Sequence, residues 1–345
     1  MTADTRALRD AGLAAGVLLV AVWTGSGGGA HLDHALLGYL AATIVAVVGT
    51  VWRASRFWRR PASAVYARAL GEALRSPRRL RHVLAAGAGD LGAQRFIAAR
   101  SRMRWLAHLL MSVGTLVSCA ITLPLVFGWM RFAAEGQTVY RPLVFSLPLG
   151  RFVLGGPVAW LVFHALALAG VAVVAGATWF LVARLRQRRL PGTATGFHVG
   201  PLLLLLAVAL TGLGLPVSRQ APDVFRMVAM LHEASVIVLL VAIPFSKLGH
   251  ILIRPLQLGA RLVRAADVRW AACAGCGTRL APVAQLAAVE RLLAARGVRF
   301  ADHQRRCPTC RRRQVAAVQA GLCGVGFQPP LIGPVLPARR REEAA

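Results

Sequence analysis

The chain has 345 residues, 57% of them hydrophobic, and a formal net charge of +28 at pH 7. Long apolar runs with this composition are typical of an integral membrane protein and argue against a soluble globular enzyme. The basic excess would also suit a nucleic-acid-binding protein. In a membrane protein, however, it usually marks cytoplasmic loops, so we expect no nucleic-acid partner.

Two apolar runs, at 11–24 and 35–53, predict an N-terminal transmembrane hairpin within residues 1–60. The first run is short and follows Arg6 and Arg9, which would also fit a signal peptide or a signal anchor. The second run begins only ten residues later, and no A-x-A cleavage site lies between the two. A hairpin is therefore the favoured interpretation.

Residues 61–104 are predicted to form a basic cytoplasmic segment. From Arg53 to Arg104 there are thirteen arginines against only Glu72 and Asp90. A partly amphipathic helix that lies on anionic lipid headgroups explains this composition. A docking surface for an acidic soluble subunit is the alternative interpretation.

Four further spans are predicted at 105–130, 153–184, 198–217 and 228–253. Together with the hairpin they give an all-α membrane protein, a bundle of about six transmembrane helices. Arginines cluster after the fourth and sixth spans, whereas residues 25–34 and 131–151 carry few charges. The positive-inside rule therefore predicts a multi-pass protein of the inner membrane with both termini in the cytoplasm.

Histidines occur at matched depths in the region 105–260. His232 and His250 lie eighteen residues apart in the sixth predicted span. On one continuous α-helix they would face the same way about 27 Å apart, close to the thickness of the hydrocarbon core. Counting from the arginines at the span ends places His108 at the depth of His250, and His164 near that of His232. Facing imidazoles at one depth can hold haem iron in a helix bundle, whereas isolated membrane histidines are more often hydrogen-bonded or interfacial.

The sixth predicted span resembles the last helix of the respiratory nitrate reductase gamma subunit family. In "LHEASVIVLLVAIPFSKLGHILIRPLQ", Leu231–His232, the Pro244–Lys247 element and His250 fit the family pattern of LH, PFS[KR] and a second histidine. The third span, "RWLAHLLMSVGTLVSCAITLPLVFGW", is similar to the family's other haem helix, where His108 matches the first histidine. The resemblance covers about residues 35–260.

The resemblance implies two b-type haems, each with two histidine ligands, and oxidation of a membrane quinol. Its implied partners are a cytoplasmic iron–sulfur subunit and a molybdenum-containing catalytic subunit. This sequence departs from the family at Ser118, where the second histidine of that helix would lie. His164 is then the candidate partner of His232, and without it only the inner haem at His108 and His250 remains.

Glu233 is predicted to act as a quinol proton acceptor, because carboxylates within membrane spans are costly and usually functional. The alternative is a carboxylate at the edge of the span that reaches water.

The tail at 265–330 carries two C-x-x-C pairs separated by thirty residues, Cys273 with Cys276 and Cys307 with Cys310. Four thiolates at this spacing are typical of a tetrahedral zinc site. Rubredoxin-like iron and an iron–sulfur cluster are the alternatives. A helix that ends at Gly297 is predicted between the pairs, in a zinc-ribbon-like domain, and residues 331–345 are predicted to be disordered.

The sequence therefore predicts a membrane cytochrome b subunit that passes electrons between quinone and a cytoplasmic partner. The chain itself shows no substrate site for terminal chemistry, so its classification as an enzyme stays open. The alternatives are a transporter, against which the lack of a visible inverted repeat argues, and a zinc-bearing membrane scaffold without haem. An optical spectrum separates them, because neither alternative would contain haem.

Overall fold

The structure is a computed structural model that describes residues 3–186, 195–265, 269–298 and 301–326. The described chain is mostly helical. It divides into two compact units, one formed by Met1–Arg60 with Tyr66–Arg261 and the other by Pro61–Val65 with the chain from Leu262 onward. The predicted disordered end at 331–345 lies outside the described residues.

The described residues form thirteen α-helices. In chain order they are α1 (Ala3–Gly25), α2 (Leu37–Trp58), α3 (Pro61–Arg75), α4 (Pro77–Gly87), α5 (Arg95–Ala98), α6 (Arg102–Val126), α7 (Pro157–Arg186), α8 (Thr195–Ser218), α9 (Pro222–Ala242), α10 (Leu256–Ala265), α11 (Val283–Ala294), α12 (Ala301–Gln304) and α13 (Pro308–Leu322).

Six of these helices, α1, α2 and α6 to α9, are long and apolar enough to cross a membrane. They match the six predicted spans in order and number. The protein is accordingly a multi-pass membrane protein, as the sequence predicted. The basic segment after α2 is also helical and forms α3, α4 and α5.

The spanning helices pack as neighbours in the order α6, α7, α8, α9, α2 and α1. Small residues bring α6 and α7 together. A Cβ at Gly114 would lie 2.6 Å from the carbonyl oxygen of Ala169 and 2.8 Å from Cγ2 of Val173. A Cβ at Gly176 would lie 2.8 Å from the backbone nitrogen of Met111. Such backbone approach is how glycine supports helix association in membranes.

These contacts also fix helix directions. Three pairs of neighbours are antiparallel, namely α6 with α7, α7 with α8, and α8 with α9. α2 instead runs parallel to α9, because Gly38 lies near Ile237 and Gly49 lies near Pro244. The start of α6 therefore lies at the same end of the bundle as the ends of α2 and α9. We call this end, with Arg53, Arg104 and the segment after α9, the Arg-rich end.

The connection between α6 and α7 is not a simple loop, which corrects the purely helical expectation. It forms a small antiparallel sheet of β1 (Met130–Glu135), β2 (Val139–Val144), β3 (Leu147–Pro148) and β4 (Phe152–Val153). β2 pairs with each of the other three strands. Glu135 forms ion pairs with Arg141 and Arg151, which join the turn after β1 to β2 and β4.

The sixth span is also not one continuous α-helix. α9 ends at Ala242, and two 3₁₀ segments, Ile243–Phe245 and Lys247–Leu252, follow it. The premise that His232 and His250 face the same way after five regular turns is therefore wrong. Pro244 breaks the α-helix because its ring has no N–H to donate and clashes with the preceding turn.

The second unit contains a β-hairpin and helices. Strands β5 (Trp270–Ala272) and β6 (Arg279–Pro282) pair antiparallel, and α11 follows directly. α11 confirms the helix predicted between the two cysteine pairs, and Gly297 lies just beyond it with a positive φ of 71°.

Candidate functional site

His108 is held by a short hydrogen-bond network near the start of α6. Its Nδ1 lies 2.7 Å from Oε1 of Gln94, whose Nε2 donates to Oγ of Ser112 at 2.7 Å. The Ser112 hydroxyl in turn donates to the carbonyl of Leu109. Because an amide oxygen only accepts, Nδ1 of His108 carries the proton, and its Nε2 presents a lone pair.

Gln94 reaches His108 from a buried and strained position. The residue is 7% exposed, and its φ of 52° lies in the left-handed region that non-glycine residues seldom adopt. α5 follows Gln94 and packs against α6. The indole of Trp105 fastens the segment by donating to the carbonyl of Ala93 at 2.8 Å. Buried polar residues with strained backbones concentrate at functional sites, so Gln94 is a candidate for one.

His250 lies at the Arg-rich end together with His108. The backbone N–H of Arg254 donates to the His250 carbonyl at 2.9 Å, which joins Arg254 to the segment that carries His250. The Arg254 guanidinium lies 4.7 Å from the ring centroid of Phe96, two residues beyond Gln94. The structure thus brings the two predicted inner-haem ligands into one neighbourhood.

α2 supports the segment that carries His250. A Cβ at Gly49 would lie 2.7 Å from Cβ of Pro244, so the two backbones are in close contact. The Arg53 guanidinium donates to the carbonyl of Pro244. This bond satisfies an oxygen near the break in the sixth span, and the Ser246 hydroxyl caps the start of the following 3₁₀ segment by accepting from the Leu248 N–H at 3.2 Å.

His232 faces α8. Its Nδ1 lies 3.0 Å from Oγ1 of Thr211, whose hydroxyl donates to the carbonyl of Ala207 at 2.6 Å. Thr211 can therefore accept from the imidazole, and the ring also hydrogen-bonds the backbone of Val208. The ring also lies close to Gly212, where a Cβ would be 3.1 Å from Cε1.

Glu233 faces the other neighbour of α9. Its Oε1 would lie 3.1 Å from a Cβ at Gly38 of α2, and its carboxylate interacts electrostatically with the buried Tyr39. Glu233 as a whole residue is half-buried. The predicted quinol proton acceptor thus lies in the α2–α9 interface beside a phenol.

His164 has different neighbours from His232. Its side chain is exposed, stacks on Trp160 of its own helix with centroids 4.8 Å apart, and donates from Nδ1 to the Trp160 carbonyl at 2.8 Å. Within the described residues, neither ring has an identified contact with the other. Their pairing in an outer haem stays a prediction.

The four predicted metal-binding cysteines lie together in the second unit. The Sγ atoms of Cys273, Cys276, Cys307 and Cys310 are all within 4.8 Å of one another. Cys276 and Cys307 are 3.6 Å apart at sulfur, too far for a disulfide of about 2.05 Å. A tetrahedral site with Zn–S bonds of about 2.3 Å separates its sulfurs by roughly 3.8 Å. The cluster could therefore bind a metal such as zinc.

Backbone N–H groups stabilise the thiolate form of two of these cysteines, Cys273 and Cys307. Burial raises the pKa of the Cys273 thiol, but N–H groups of Cys307, Gly275 and Cys276 donate to its sulfur and bring that pKa to about 6. The N–H of Cys310 lowers the pKa of Cys307, while hydrogen bonding to the Cys307 and Cys276 sulfurs raises the pKa of Cys310 to about 12. Directed N–H donors stabilise the thiolate that a metal requires.

Three supporting residues were not found by sequence reasoning, namely Gln94, Thr211 and Arg53. None belongs to a motif at a fixed spacing from its partner, and Gln94 is separated from His108 by a helix break. Only the folded arrangement reveals them.

Comparisons of the chain with protein-family models, with curated proteins and with solved structures gave no match. The functional conclusion therefore depends on the residues themselves.

Proposed function

We propose that this chain is a haem b membrane subunit that passes electrons between the quinone pool and a cytoplasmic oxidoreductase. Its resemblance to the nitrate reductase gamma subunit family around His232 and His250 supports this function. The same resemblance suggests an iron–sulfur subunit and a molybdenum-containing subunit as partners. The distribution of arginines supports an inner-membrane location with both termini in the cytoplasm.

The observation that carries the proposal is the pair of His108 and His250 at the Arg-rich end. Gln94 accepts the Nδ1 proton of His108 and leaves Nε2 available as a ligand. An outer hydrogen bond of this kind normally orients a metal-ligating histidine and sets its tautomer. We infer that His108 and His250 together would hold a bis-histidine haem b.

A haem b at this position would supply one-electron transfer. The protein's contribution is to hold and shield the ligand. Phe180 contacts the His108 ring edge-on with centroids 6.1 Å apart, which keeps that side of the imidazole apolar. Arg53 and Gly49 hold the start of the segment that presents His250.

The test is a reduced-minus-oxidised optical spectrum of the purified full-length protein. His108→Ala and His250→Ala should each remove one low-spin b haem per chain, because a bis-histidine site loses half of its axial ligands. His82→Ala is the matched control, since His82 is exposed on α4. Unchanged spectra in both ligand variants would contradict the proposal.

We also infer that the second unit binds one zinc ion through Cys273, Cys276, Cys307 and Cys310, because four sulfurs without a disulfide suit a closed structural site. Elemental analysis of the full-length protein should give about one zinc per chain. Cys276→Ser should abolish it, whereas Cys323→Ser, an exposed cysteine outside the cluster, should retain it. Iron with visible colour in place of zinc would contradict the assignment.

A zinc-bearing membrane scaffold without haem is the second candidate function. The sulfur cluster and the arginine excess favour it, because neither requires electron transfer. A colourless protein with zinc would support this scaffold. A colourless protein without metal would leave a transporter as the simplest alternative.

A further inference from the structure

The small sheet between α6 and α7 lies across the end of the bundle opposite the Arg-rich end. On one side, Phe132 and Tyr140 contact the ring of Phe163 in α7, with ring centroids 6.3 and 6.1 Å apart. On the other side, a Cβ at Gly25, the last residue of α1, would lie 2.7 Å from Cε1 of Phe145. The sheet therefore extends from one spanning helix to another.

The turn between β2 and β3 is held against α1 in a strained conformation. Phe145 and Ser146 have φ angles of 47° and 65°, in the left-handed region where two-residue hairpin turns normally place Asn or Gly. The Phe145 ring stacks on Trp129 with centroids 5.7 Å apart, and the Phe145 N–H donates to the Trp129 carbonyl at 2.8 Å. Strained residues persist where the surrounding structure fixes them, so the fold specifies the position of this turn.

Two leucines that follow this turn are exposed. Leu147 is 68% exposed and Leu149 is 66% exposed. The Leu149 N–H donates to the Pro142 carbonyl at 2.9 Å, which continues the pairing of β3 with β2 beyond Pro148. Because side chains alternate along a strand, Leu147 and Leu149 lie on one face of the sheet. Large apolar side chains grouped in this way usually mark an interaction surface.

The chain around these leucines carries no charge. None of the residues 142–150 is charged, and the arginines on either side, Arg141 and Arg151, both form ion pairs with Glu135. A charged protein partner would find no complementary charge on this stretch, whereas the hydrocarbon of a bilayer requires none. The exposed face therefore fits lipid better than it fits a water-soluble partner.

Exposed tryptophans place the membrane surface at the level of the sheet. Trp23 lies in the last turn of α1 and Trp160 in the first turn of α7, and both side chains are more than half exposed. Exposed indoles at the ends of spanning helices are typical of the boundary between headgroups and hydrocarbon. The exposed apolar surface also continues, without a charged residue, from Val153 and Leu154 into Val158 of α7. The sheet thus borders the lipid that surrounds α7.

We propose that Leu147 and Leu149 insert into the lipid leaflet at this end of the bundle and anchor the sheet on the membrane surface. The insertion is shallow, about 5–10 Å as for other interfacial segments, so Ser146 in the turn stays at the level of the headgroups. The anchor holds the sheet flat across the ends of α1 and α7. It requires neither a haem nor a metal, and so it is independent of the functions proposed above.

The test is photo-crosslinking of the full-length protein in the membranes of intact cells. Leu147→p-benzoylphenylalanine and Leu149→p-benzoylphenylalanine both place a photoreactive group at an exposed position, where it does not disturb the packing. After irradiation, each variant should gain the mass of one phospholipid, because an excited benzophenone adds to C–H bonds of acyl chains within its reach. Mass spectrometry of the purified protein measures the adduct.

Two further positions serve as matched controls. Val17→p-benzoylphenylalanine, on the exposed side of a spanning helix, should form a phospholipid adduct. Gln137→p-benzoylphenylalanine, in the exposed turn between β1 and β2, should form none, because that turn is polar and adjoins the charged Glu135.

Phospholipid adducts at both leucines and at Val17, but not at Gln137, would support the anchor. No lipid adduct at either leucine, with the adduct present at Val17, would overturn it. Adducts with a second copy of the chain or with another protein in place of lipid would also overturn it, because the face would then be a protein interface. Equal lipid adducts at Gln137 and at the leucines would contradict a specific insertion of this turn.

Discussion

The amide of Gln94 accepts a hydrogen bond from His108 and donates one to Ser112. The direction of these hydrogen bonds decides which nitrogen of the His108 ring carries no proton. Gln94→Leu removes both bonds, so we expect haem affinity to fall about 10- to 100-fold, as for other ligand-orienting residues. Gln94→Glu keeps an acceptor and should retain the haem. Haem content per chain after dialysis measures both variants. Full retention in Gln94→Leu would show that the network is only structural.

The number of haems depends on two other histidines. His164→Ala and His232→Ala should each reduce the haem content from two per chain to one if these residues form the outer pair. Pyridine haemochrome analysis of the wild type and both variants gives the count. One haem in the wild type, and no loss in His164→Ala, would leave His232 as a hydrogen-bond donor to Thr211 rather than a ligand.

Sequence spacing was informative for the cysteines, because a metal site requires particular donor atoms at short separations. Depth counted from the span ends also placed His108 and His250 at one end of the bundle, but their role as haem ligands stays a prediction. The four cysteines are as close as predicted. Spacing did not distinguish His164, whose depth fits but whose side chain is exposed against Trp160. Counting residues from the end of a span gives the depth of a side chain in the membrane, but it does not give the direction in which that side chain points from its helix.

The contact between α6 and α7 makes a prediction at the scale of elements. In Gly176→Ala the new Cβ would lie 2.8 Å from the Met111 backbone nitrogen, and backbone cannot yield as a side chain can. We expect a loss of about 1–3 kcal/mol in the free energy of unfolding, the usual cost of overpacking. Gly16→Ala is the control, because no atom lies within 4 Å of its Cβ position.

Thermal unfolding in detergent should therefore show a lower midpoint for Gly176→Ala and no decrease for Gly16→Ala. Equal midpoints for the two variants would mean that the α6–α7 contact accommodates the added methyl group without loss of stability.

All six spans could be predicted, because about twenty apolar residues in succession have few other structures available. The sheet at 130–153 could not, because its strands depend on pairs such as Met130 with Val144 and on ion pairs of Glu135. A hydropathy profile contains no information about which residues pair across two strands. The break at Pro244 was visible as a proline, but its effect on the direction of His250 depends on contacts with α2.

At the scale of the whole molecule, the arginine distribution predicts the orientation in the membrane. Ser146 lies in the turn between β2 and β3, and Cys323 lies at the end of α13. In a Cys119→Ser, Cys323→Ser background, Ser146→Cys should react with an impermeant maleimide in intact spheroplasts. Native Cys323, in a Cys119→Ser chain, should react only after the membrane is opened. The reverse pattern would contradict the proposed topology.

The packing order of the helices has a consequence for biosynthesis. α1 and α2 are made before the other four described spans, but besides α1 the main described neighbour of α2 in the bundle is α9, the last of the six to be made. The bond from Arg53 to Pro244 joins residues 191 positions apart. The face of α2 that binds α9 must therefore remain unoccupied in the bilayer until translation has passed the sixth span, although Val22 and Tyr39 of the hairpin can already pack with Val126 and Phe127 at the end of α6. A chain interrupted after α8 would present an unoccupied hairpin face to the insertion and quality-control machinery.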